Sequence, residues 1–494
     1  MKKTLAIALV VALALALMPA AALADGLSEV STEAELLNAR DAATDGDIIK
    51  LAADIQLNSG KLVLSGKTLT LDLNGHMLST PDVTGNDTSK YVSADPVLEI
   101  TGGSITIKGA GTVQSGKTIN SGSNDLMASS TICVSGAASL TVQDGAVVSC
   151  GDAINTGAAG HAVWFWSSGT LTVNNAKLMG GNNIKDSSVA KGNYAYDGKA
   201  GNAIYFFQRA ATANITGSTI EGGDGLIRGY DTAYMDGGVN QAAGGAAIDS
   251  LNSTFTCNIS GSNVKGGNSD IYNAGSAINV GAGTFTIENS TVEGGHSLTP
   301  HPDESYGIGG SAIVMNNASG DVSIIASDIT GGDGGNSWIG CGIEYKDTSA
   351  SLSIEDSVIS GGGATGTGQG FGNALYCGSG AAANFSNVNL QDTLLQLGAD
   401  PSKVYGESAA YKVGGGLEGM LDVINDEDIV FGPSGIILLG DLPAQSQATK
   451  VSANADIAYM IVITPSVDFG TIDRSMGTQT KNFVVAVEDG LIED

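Results

Sequence analysis

Residues 275–295 read GSAINVGAGTFTIENSTVEGG, a line of Gly, Ser, Thr and Asn with apolar residues placed at short intervals. The apolar positions form two pairs and one single residue, namely Ile278 with Val280, Phe285 with Ile287, and Val292. A spacing of two residues is the strand period, in which alternate side chains point to one face. The line therefore predicts three short strands, each with one apolar face.

Related lines recur along the chain, and each begins with a Gly-x-small-aliphatic pattern. The leading glycines are Gly160, Gly201, Gly245, Gly275, Gly310, Gly340 and Gly372. They are 30 to 44 residues apart, an interval that indicates a repeat architecture. Six of the seven lines end in a glycine pair, and weaker copies occur at 97–113 and 132–148.

One turn position lies between the second and third strands of every line. It holds Asn175, Gly217, Gly261, Asn289, Ala326, Asp356 and Asn387. Because Asn, Gly and Asp best tolerate a positive φ, we expect the same left-handed turn in each repeat.

The three short strands of a repeat can bury their apolar faces only when the repeats stack. We predict an all-β, right-handed parallel β-helix with three strands per coil. A β-propeller is the alternative, although its blades would show antiparallel strands and longer, more regular repeats.

The first 24 residues have the pattern of a secretory signal peptide. Lys2 and Lys3 precede an apolar run over 5–18, and small residues at 22–24 fit a cleavage site before Asp25. A membrane anchor is the alternative, but the run is short for a bilayer span. We therefore expect an exported, extracellular protein.

The segment after the signal peptide predicts a cap. Thr32 and Glu35 form a capping-box pattern that starts a short helix ending near Ala43. We assign 25–57 to the N-terminal cap and first coil, and 58–392 to the β-helix.

Motifs in this first part resemble a known group. The segments 33–36, 46–49, 54–55 and 71–76 (EAEL, GDII, DI and LDLNGH) look like the start of pectate-lyase-like β-helix domains in bacterial cell-surface and adhesin proteins. The resemblance covers about residues 28–392. It implies the fold and export, and it implies adhesion or surface binding more than catalysis, since true lyases share only the fold.

After residue 392 the repeat ends. We assign 393–452 to a C-terminal cap and linker, and 453–494 to a partial module. Residues 459–465 and 467–470 resemble the first strands of Ig-like modules in exported bacterial proteins. The chain stops about 40 residues into a module that usually needs about 100. We therefore expect a truncated surface protein whose anchor lies downstream.

A formal net charge of −29 argues against nucleic acid and anionic membranes as partners. We expect a monomer that binds a glycan or a surface protein, with no membrane span beyond the signal peptide. No cofactor is predicted. Acidic glycine-rich turns such as 331–336 (GGDGGN) leave Ca²⁺ as an alternative to solvated turns.

Five cysteines occur in the chain. Cys257 and Cys377 fall in inward slots, so we predict that they are core residues. Cys341 falls in an outward slot. Cys133 and Cys150 could form a disulfide with each other or remain two free thiols, and the sequence leaves both alternatives open.

The residues of the repeats give little support to a lyase or glycoside hydrolase activity. A lyase needs an Arg or Lys base beside acids that hold Ca²⁺, and no line shows this cluster. One outward slot holds Trp164, Tyr205, Asp249, Asn279, Val314, Glu344 and Tyr376. Its two acids are three coils apart, roughly 14 Å, which is too far for a glycoside hydrolase pair. Acids from the loops could still complete a carboxylate pair.

His296 and His301 are close in sequence and suggest a metal site. A solvated loop is the better interpretation of this segment.

The best functional candidate is the edge formed by the segments after the glycine pairs, which are 7 to 21 residues long. Insertions in stacked repeats emerge on one side and often bind ligands. The candidate ligand-binding residues there are Tyr194, Tyr196, Asp197, Arg228, Tyr230, Asp231, Tyr234, Asp236, Tyr272, Tyr306 and Trp338. Aromatic faces beside carboxylates can bind sugars. Tyrosines that merely cover the edge are the structural alternative. We predict binding or adhesion with no catalytic residue; a polysaccharide lyase or glycoside hydrolase that uses loop acids is the alternative.

Overall fold

The computed structural model of the 494-residue chain describes 26–85, 95–120, 128–186, 198–207, 209–228, 242–250, 254–270, 272–298, 307–316, 318–334, 339–346, 350–363 and 372–377. It also describes the strands 388–391, 393–396, 411–413, 429–431 and 436–439. All structural statements below concern these residues.

Three long sheets run along the repeats, and we name them A, B and C in the order in which a coil supplies their strands. Sheet A contains Leu62–Leu64, Leu98–Ile100, Ile132–Gly136, Val163–Ser167, Ile204–Phe206, Ile248–Asp249, Ile278–Asn279, Ile313–Asn316, Ile343–Lys346, Leu375–Cys377 and Tyr411–Val413. Sheet B contains Leu27–Val30, Ile48–Leu51, Lys67–Asp72, Gly103–Lys108, Ser139–Gln143, Thr170–Asn174, Ala211–Thr216, Phe255–Ser260, Thr284–Glu288, Val322–Ile325, Leu352–Glu355 and Val388–Gln391.

Sheet C is parallel until its last two strands. Its parallel strands are Ile55–Gln56, Met77–Ser79, Gly111–Gln114, Ala146–Ser149, Lys177–Met179, Thr219–Glu221, Asn263–Lys265, Thr291–Glu293, Asp328–Thr330, Val358–Ser360 and Thr393–Gln396. Ile436–Leu439 and Ile429–Phe431 then add in antiparallel fashion.

The strands pair at equivalent positions of successive coils. In sheet A, Ile278 lies between Ile248 and Ile313, and in sheet B, Phe285 lies between Cys257 and Val322. This in-register stacking confirms the predicted all-β parallel β-helix with three core strands per coil. The expected partial Ig-like module at 453–494 lies outside the described residues.

The core consists of the predicted inward side chains. All five apolar positions of the opening line have no exposed surface, and Cys257 is likewise buried, as predicted. The phenylalanines of adjacent coils contact one another, with Phe206 and Phe255 stacked at a centroid distance of 4.4 Å. Because each coil lends its apolar face to the next, the core is continuous along the helix. The side chain of Cys377 lies outside the described residues.

The predicted left-handed turn recurs in coil after coil. The φ angles are 49° at Asn175, 48° at Asn289, Ala326 and Asp356, and 55° at Gly261. Gly217 matches them at 56°. Six of the seven turn positions are thus confirmed, and Asn387 lies outside the described residues.

A buried serine follows the turn in five coils: Ser218, Ser262, Ser290, Ser327 and Ser357. Each hydroxyl donates to a carbonyl two residues earlier in its own coil. The four later hydroxyls also each accept the backbone N–H of the preceding serine, always at 3.1 Å. We call this row the serine ladder, and it satisfies backbone donors where the chain leaves sheet B.

A fourth parallel sheet, D, was not predicted. Each of its strands follows a strand of sheet C in the same coil. The strands are Val83–Gly85, Thr118–Asn120, Ala153–Ile154, Asn183–Asp186 and Gly225–Arg228. Single bridges from Gly225 to Ser269 and from Ser269 to Ser297 continue its line. A separate short pair joins Gly198–Lys199 to Ala242–Ala243. The segments after the glycine pairs therefore begin with ordered backbone.

Thirteen glycines form a single backbone ladder that closes the coils. In order along the ladder they are Gly160, Gly181, Gly201, Gly223, Gly245, Gly267, Gly275, Gly295, Gly310, Gly332, Gly340, Gly362 and Gly372. The N–H of each glycine after the first donates to the carbonyl of the one before it, at 2.7 to 3.1 Å. A Cβ at Gly201 would lie 1.7 Å from the carbonyl oxygen of Gly160. We call this ladder the glycine neck.

The helix α1, Glu33–Ala42, covers the first coil as expected. Thr32 and Glu35 form both bonds of the predicted capping box, and Leu36 is buried in the core. The strand Leu27–Val30 pairs with Ile48–Leu51 at the start of sheet B. Within the described ranges, no helix combines the length and the apolar character that a membrane crossing requires.

Candidate ligand-binding surface

The outer face of sheet A carries a cluster of exposed aromatic side chains. In Val163–Ser167 the apolar residues alternate, so that Phe165 is buried while Trp164 and Trp166 point outward. Their exposed fractions are 38% and 43%. The next coil adds Tyr205, which pairs with Trp164 in register, and Phe207. We call Trp164, Trp166, Tyr205 and Phe207 the aromatic platform.

The platform rings contact one another. Phe207 is the common partner, with its ring centroid 6.0 Å from Trp164, 6.3 Å from Trp166 and 5.8 Å from Tyr205. The guanidinium of Arg209 lies 5.6 Å from the centroid of Trp166. Edge-to-face aromatic contacts and a cation–π contact restrain these side chains without burying them. Large exposed aromatic groups in contact with each other are typical of interaction surfaces.

A cleft of about 300 Å³ lies beside the platform. Small residues line much of it, among them Gly245 and Gly275 of the glycine neck. Asn202, Asp249 and Tyr272 supply polar side chains to its wall, together with Lys199 and Asn279. Asn202 belongs to the coil of Tyr205, and Asp249 pairs with Tyr205 in sheet A, so the cleft extends from the second coil of the platform into the next coil.

A hydrogen-bond network joins the platform to the cleft. The rings of His161 and Tyr205 lie 4.8 Å apart, and Nδ1 of His161 accepts the backbone N–H of Asn202 at 2.9 Å. The Asn202 side chain donates to Oδ2 of Asp249 at 3.3 Å and accepts from the Ala246 N–H at 2.9 Å. Burial lowers the pKa of His161 to about 4, so the ring is neutral at physiological pH and its proton is on Nε2.

Two of the predicted ligand-binding residues fall among the described residues. Tyr272 lines the cleft, and its N–H donates to the Ser269 hydroxyl at 2.8 Å. Arg228 is exposed at the end of a strand of sheet D and is not among the residues that line the cleft. The other nine lie outside the described residues: Tyr194, Tyr196, Asp197, Tyr230, Asp231, Tyr234, Asp236, Tyr306 and Trp338.

Sequence reasoning missed most of this surface. The repeat pattern does not mark Trp166, Phe207, Arg209, His161 or Asn202 as ligand-binding residues. The usable signal was the alternation in VWFWS, which turns two tryptophans outward on one strand. The predicted site was placed only on the segments beyond the glycine pairs.

The register places the two acids of the outward slot as predicted. Asn279 and Val314 lie between Asp249 and Glu344 in sheet A, so the acids are three coils apart. That is roughly 14 Å at the usual strand spacing, beyond the separation of either glycosidase mechanism. Among the described lining residues of the cleft, Asp249 is the sole carboxylate.

A second polar feature follows the glycine pairs. The residue after each pair bonds to its equivalent in the next coil, and we call this row the corner ladder. Asn182 Oδ1 accepts the Asp224 N–H at 2.8 Å, Asp224 Oδ1 accepts the Asn268 N–H at 2.7 Å, and Asn268 Oδ1 accepts the His296 N–H at 2.9 Å. Asp333 ends the described row by accepting the Gly363 N–H at 2.7 Å.

His296 is the most strongly perturbed group of the corner ladder. Its Nε2 lies 2.6 Å from Oε1 of Glu293, and its Nδ1 lies 3.3 Å from Oδ2 of Asp333. Asp333 and then Glu293 raise the pKa of His296 to about 9, and His296 in turn lowers the pKa of both carboxyls. Nδ1 is also 3.0 Å from the Asp333 backbone nitrogen, so the neutral ring accepts that N–H whereas the protonated ring donates to the carboxylate.

The described residues include no group of three or more His, Cys, Asp or Glu that could hold a metal ion. His301, Asp303 and Glu304, which share the loop of His296, lie outside them. Asp333, from the acidic turn considered for Ca²⁺, faces His296.

Cys133 and Cys150 are both free thiols. Cys133 lies at an outward position of sheet A, whereas Cys150 follows sheet C and donates to the Ser129 carbonyl at 3.3 Å. Burial raises the pKa of both thiols. A thiol with a raised pKa is a weak nucleophile, so both act as structural residues.

No protein-family model and no curated protein matches the chain. A functional conclusion therefore rests on the fold and on this surface.

Proposed function

We propose that this protein is an exported bacterial surface protein that binds glycans on the aromatic platform and in the adjoining cleft. The observation that carries the proposal is the pair Trp164 and Trp166, both more than one-third exposed on a strand whose other side chains form the core.

The chemistry of the platform suits sugars. A pyranose ring has an apolar C–H face and a polar rim, so it can rest on an aromatic ring while its hydroxyls find hydrogen-bond partners. Asn202 in the coil of Tyr205, and Asp249 and Tyr272 in the next coil, supply such partners. The contacts of Phe207 and Arg209 restrain the rings before binding, which reduces the entropy lost on association.

The surface location rests on the sequence. The signal-peptide pattern at 1–24, the net charge of −29 and the resemblance to pectate-lyase-like adhesin domains support an extracellular, cell-surface protein. A protein ligand that carries glycans would use the same surface.

Binding is favoured over cleavage because the cleft offers a single carboxylate among the described residues. Hydrolysis of a glycosidic bond requires a second carboxyl within about 10 Å. The alternative of a lyase or hydrolase therefore depends on acids of the outer segments, such as Asp231 and Asp236.

A glycan array tests the proposal, with the secreted chain compared with Trp164→Ala and Trp166→Ala. We expect each variant to lose about tenfold in affinity, the effect of about 1.4 kcal/mol at an aromatic hot spot. Val63→Ala, at an exposed position on the same face of sheet A, is the matched control and should bind as wild type. Unchanged binding by both tryptophan variants, or release of cleaved sugars by wild type, would contradict the proposal.

A further inference from the structure

The cleft beside the platform has a charge and a size that restrict what it can hold. Its volume of about 300 Å³ is at the small end of ligand pockets, which run from about 300 to 1,000 Å³. That volume suits one sugar ring and not a length of chain. The platform, by contrast, has two exposed tryptophans in one coil and the half-buried Tyr205 and Phe207 in the next.

The platform and the cleft lie on one line parallel to the helix axis. Trp164, Tyr205, Asp249 and Asn279 occupy equivalent positions of four successive coils in sheet A. A ligand that rests on the first two residues and extends along the axis therefore meets Asp249 next. The aromatic part of the line precedes the polar part, so the ring that enters the cleft contacts hydrogen-bonding groups.

Asp249 is the carboxylate that lines this part of the cleft. Its carboxylate is held by the Asn202 side chain at 3.3 Å, and Asn202 is itself fixed by the Ala246 N–H. An ionised carboxylate only accepts hydrogen bonds, and it offers about four acceptor sites. Hydroxyl groups can donate to it, whereas a second carboxylate would face a like charge. Lys199 is the one cation among the described lining residues, and it is exposed to solvent.

We infer that the cleft is a terminal subsite that binds a neutral, hydroxyl-rich sugar at the end of a glycan and discriminates against a uronic acid. This inference rests on the proposed function, because it assumes that the preceding rings lie on the aromatic platform. It adds the class of the terminal residue, the direction of the chain along the helix axis, and Asp249 as the residue that determines specificity.

Pairs of oligosaccharides on an array provide the test. The members of a pair share a backbone and are tethered at the reducing end, and their terminal residue is either a neutral hexose or the corresponding hexuronic acid. For wild type we expect at least tenfold tighter binding of the neutral member. Asp249→Asn keeps the shape and an acceptor for Asn202 but removes the charge, so the preference should fall to about twofold or less.

A second variant guards against a simple folding defect. Asn279→Asp adds a carboxylate to the same cleft and should increase the discrimination against the uronic member. Glu344→Gln removes an acid from the same outward row two coils beyond Asn279, and it should leave the preference unchanged. Thermal melting of each variant checks that the fold is retained.

The outcomes separate the two proposals. If Trp164→Ala weakens binding but wild type does not prefer the neutral member, or Asp249→Asn keeps the preference, the terminal subsite is wrong and the platform stands. If wild type binds no member of any pair, or both Trp164→Ala and Trp166→Ala bind as wild type, the proposed function falls and this inference falls with it.

Discussion

The hydroxyl of Ser290 accepts the backbone N–H of Ser262 in the preceding coil at 3.1 Å and donates to the carbonyl of Glu288 at 2.6 Å. It thereby links two coils at a point where the chain leaves sheet B and no strand pairing is available. Both serines are buried, so water cannot replace the bond.

Ser290→Ala should therefore lower the free energy of unfolding by about 1–3 kcal/mol, because the buried N–H of Ser262 loses its acceptor. Urea unfolding followed by circular dichroism measures the change. Ser323→Ala, at a half-buried outward position of sheet B, is the control and should cost less than about 0.5 kcal/mol. Equal stability of the two variants would show that the serine ladder adds nothing beyond sheet pairing.

Ala326 has a φ of 48°, a conformation that alanine disfavours and that Asn289 adopts at the same position of the preceding coil. Ala326→Asn should raise the free energy of unfolding by about 0.5–1 kcal/mol, since asparagine tolerates the left-handed region better. The reciprocal change Asn289→Ala should lower it. Melting temperatures report both changes, and a lower value for Ala326→Asn would contradict this account of the turn.

Gly201→Ala should prevent folding or cost more than about 4 kcal/mol, because its Cβ would overlap a carbonyl oxygen of the adjacent coil. Gly217→Asn is the matched control. Gly217 also belongs to the repeat, but a Cβ there meets nothing within 4 Å, and its φ of 56° is one that asparagine adopts in other coils. Yield and unfolding midpoint compare the variants, and a stable Gly201→Ala would mean that the glycine neck can widen.

The His296 cluster predicts a pH dependence of stability. His296 has a folded pKa of about 9 against an ordinary 6.5, so its contribution is complete below pH 6.5 and is lost as pH rises through 9. Glu293 and Asp333 have lowered pKa values, so their contribution is present above their ordinary values of 4.5 and 3.8 and is lost as pH falls. Stability from this cluster is therefore greatest between about pH 5 and 6.5.

His296→Gln removes the alkaline part of this dependence. We expect the free energy of unfolding of wild type to exceed that of the variant by about 2 kcal/mol near pH 6 and by much less near pH 10. Lys265, 3.3 Å from Glu293, stays in place in both proteins. Urea midpoints at several pH values measure the difference. A difference that is constant from pH 6 to 10 would disprove the role of His296.

The fold could be predicted because its determinants are local and repeated. Ile278, Phe285 and Val292 alternate with polar residues at the strand period, and Asn289 marks a turn that recurs at the same position of other repeats. Every repeat has the same pattern of inward apolar positions and the same turn, so the structure inferred for one coil also applies to its neighbours. The serine after the turn carried the same kind of signal, visible in the pairs Asn289-Ser290 and Asp356-Ser357.

The candidate site was harder to predict because it depends on neighbours from different coils. The sequence shows that Trp166 points outward, but the contact with Phe207 follows from how two coils of unequal length align. Tyr272 was chosen as a loop aromatic, and its place in the cleft follows from the Ser269 hydrogen bond and the single bridges that extend sheet D. Such contacts leave no periodic trace in the sequence.

The glycine neck has a consequence for how this protein can diversify. The outer segment between Gly267 and Gly275 has 7 residues and that between Gly223 and Gly245 has 21, yet the flanking glycines are hydrogen bonded at 2.7 and 2.8 Å. Each segment thus leaves and re-enters the helix at nearly one point, and tripling its length costs only about 1 kcal/mol of closure entropy. Mutation and recombination can therefore change the length of an outer segment without moving the glycines that flank it, so the outer segments can diversify faster than the core that supports them.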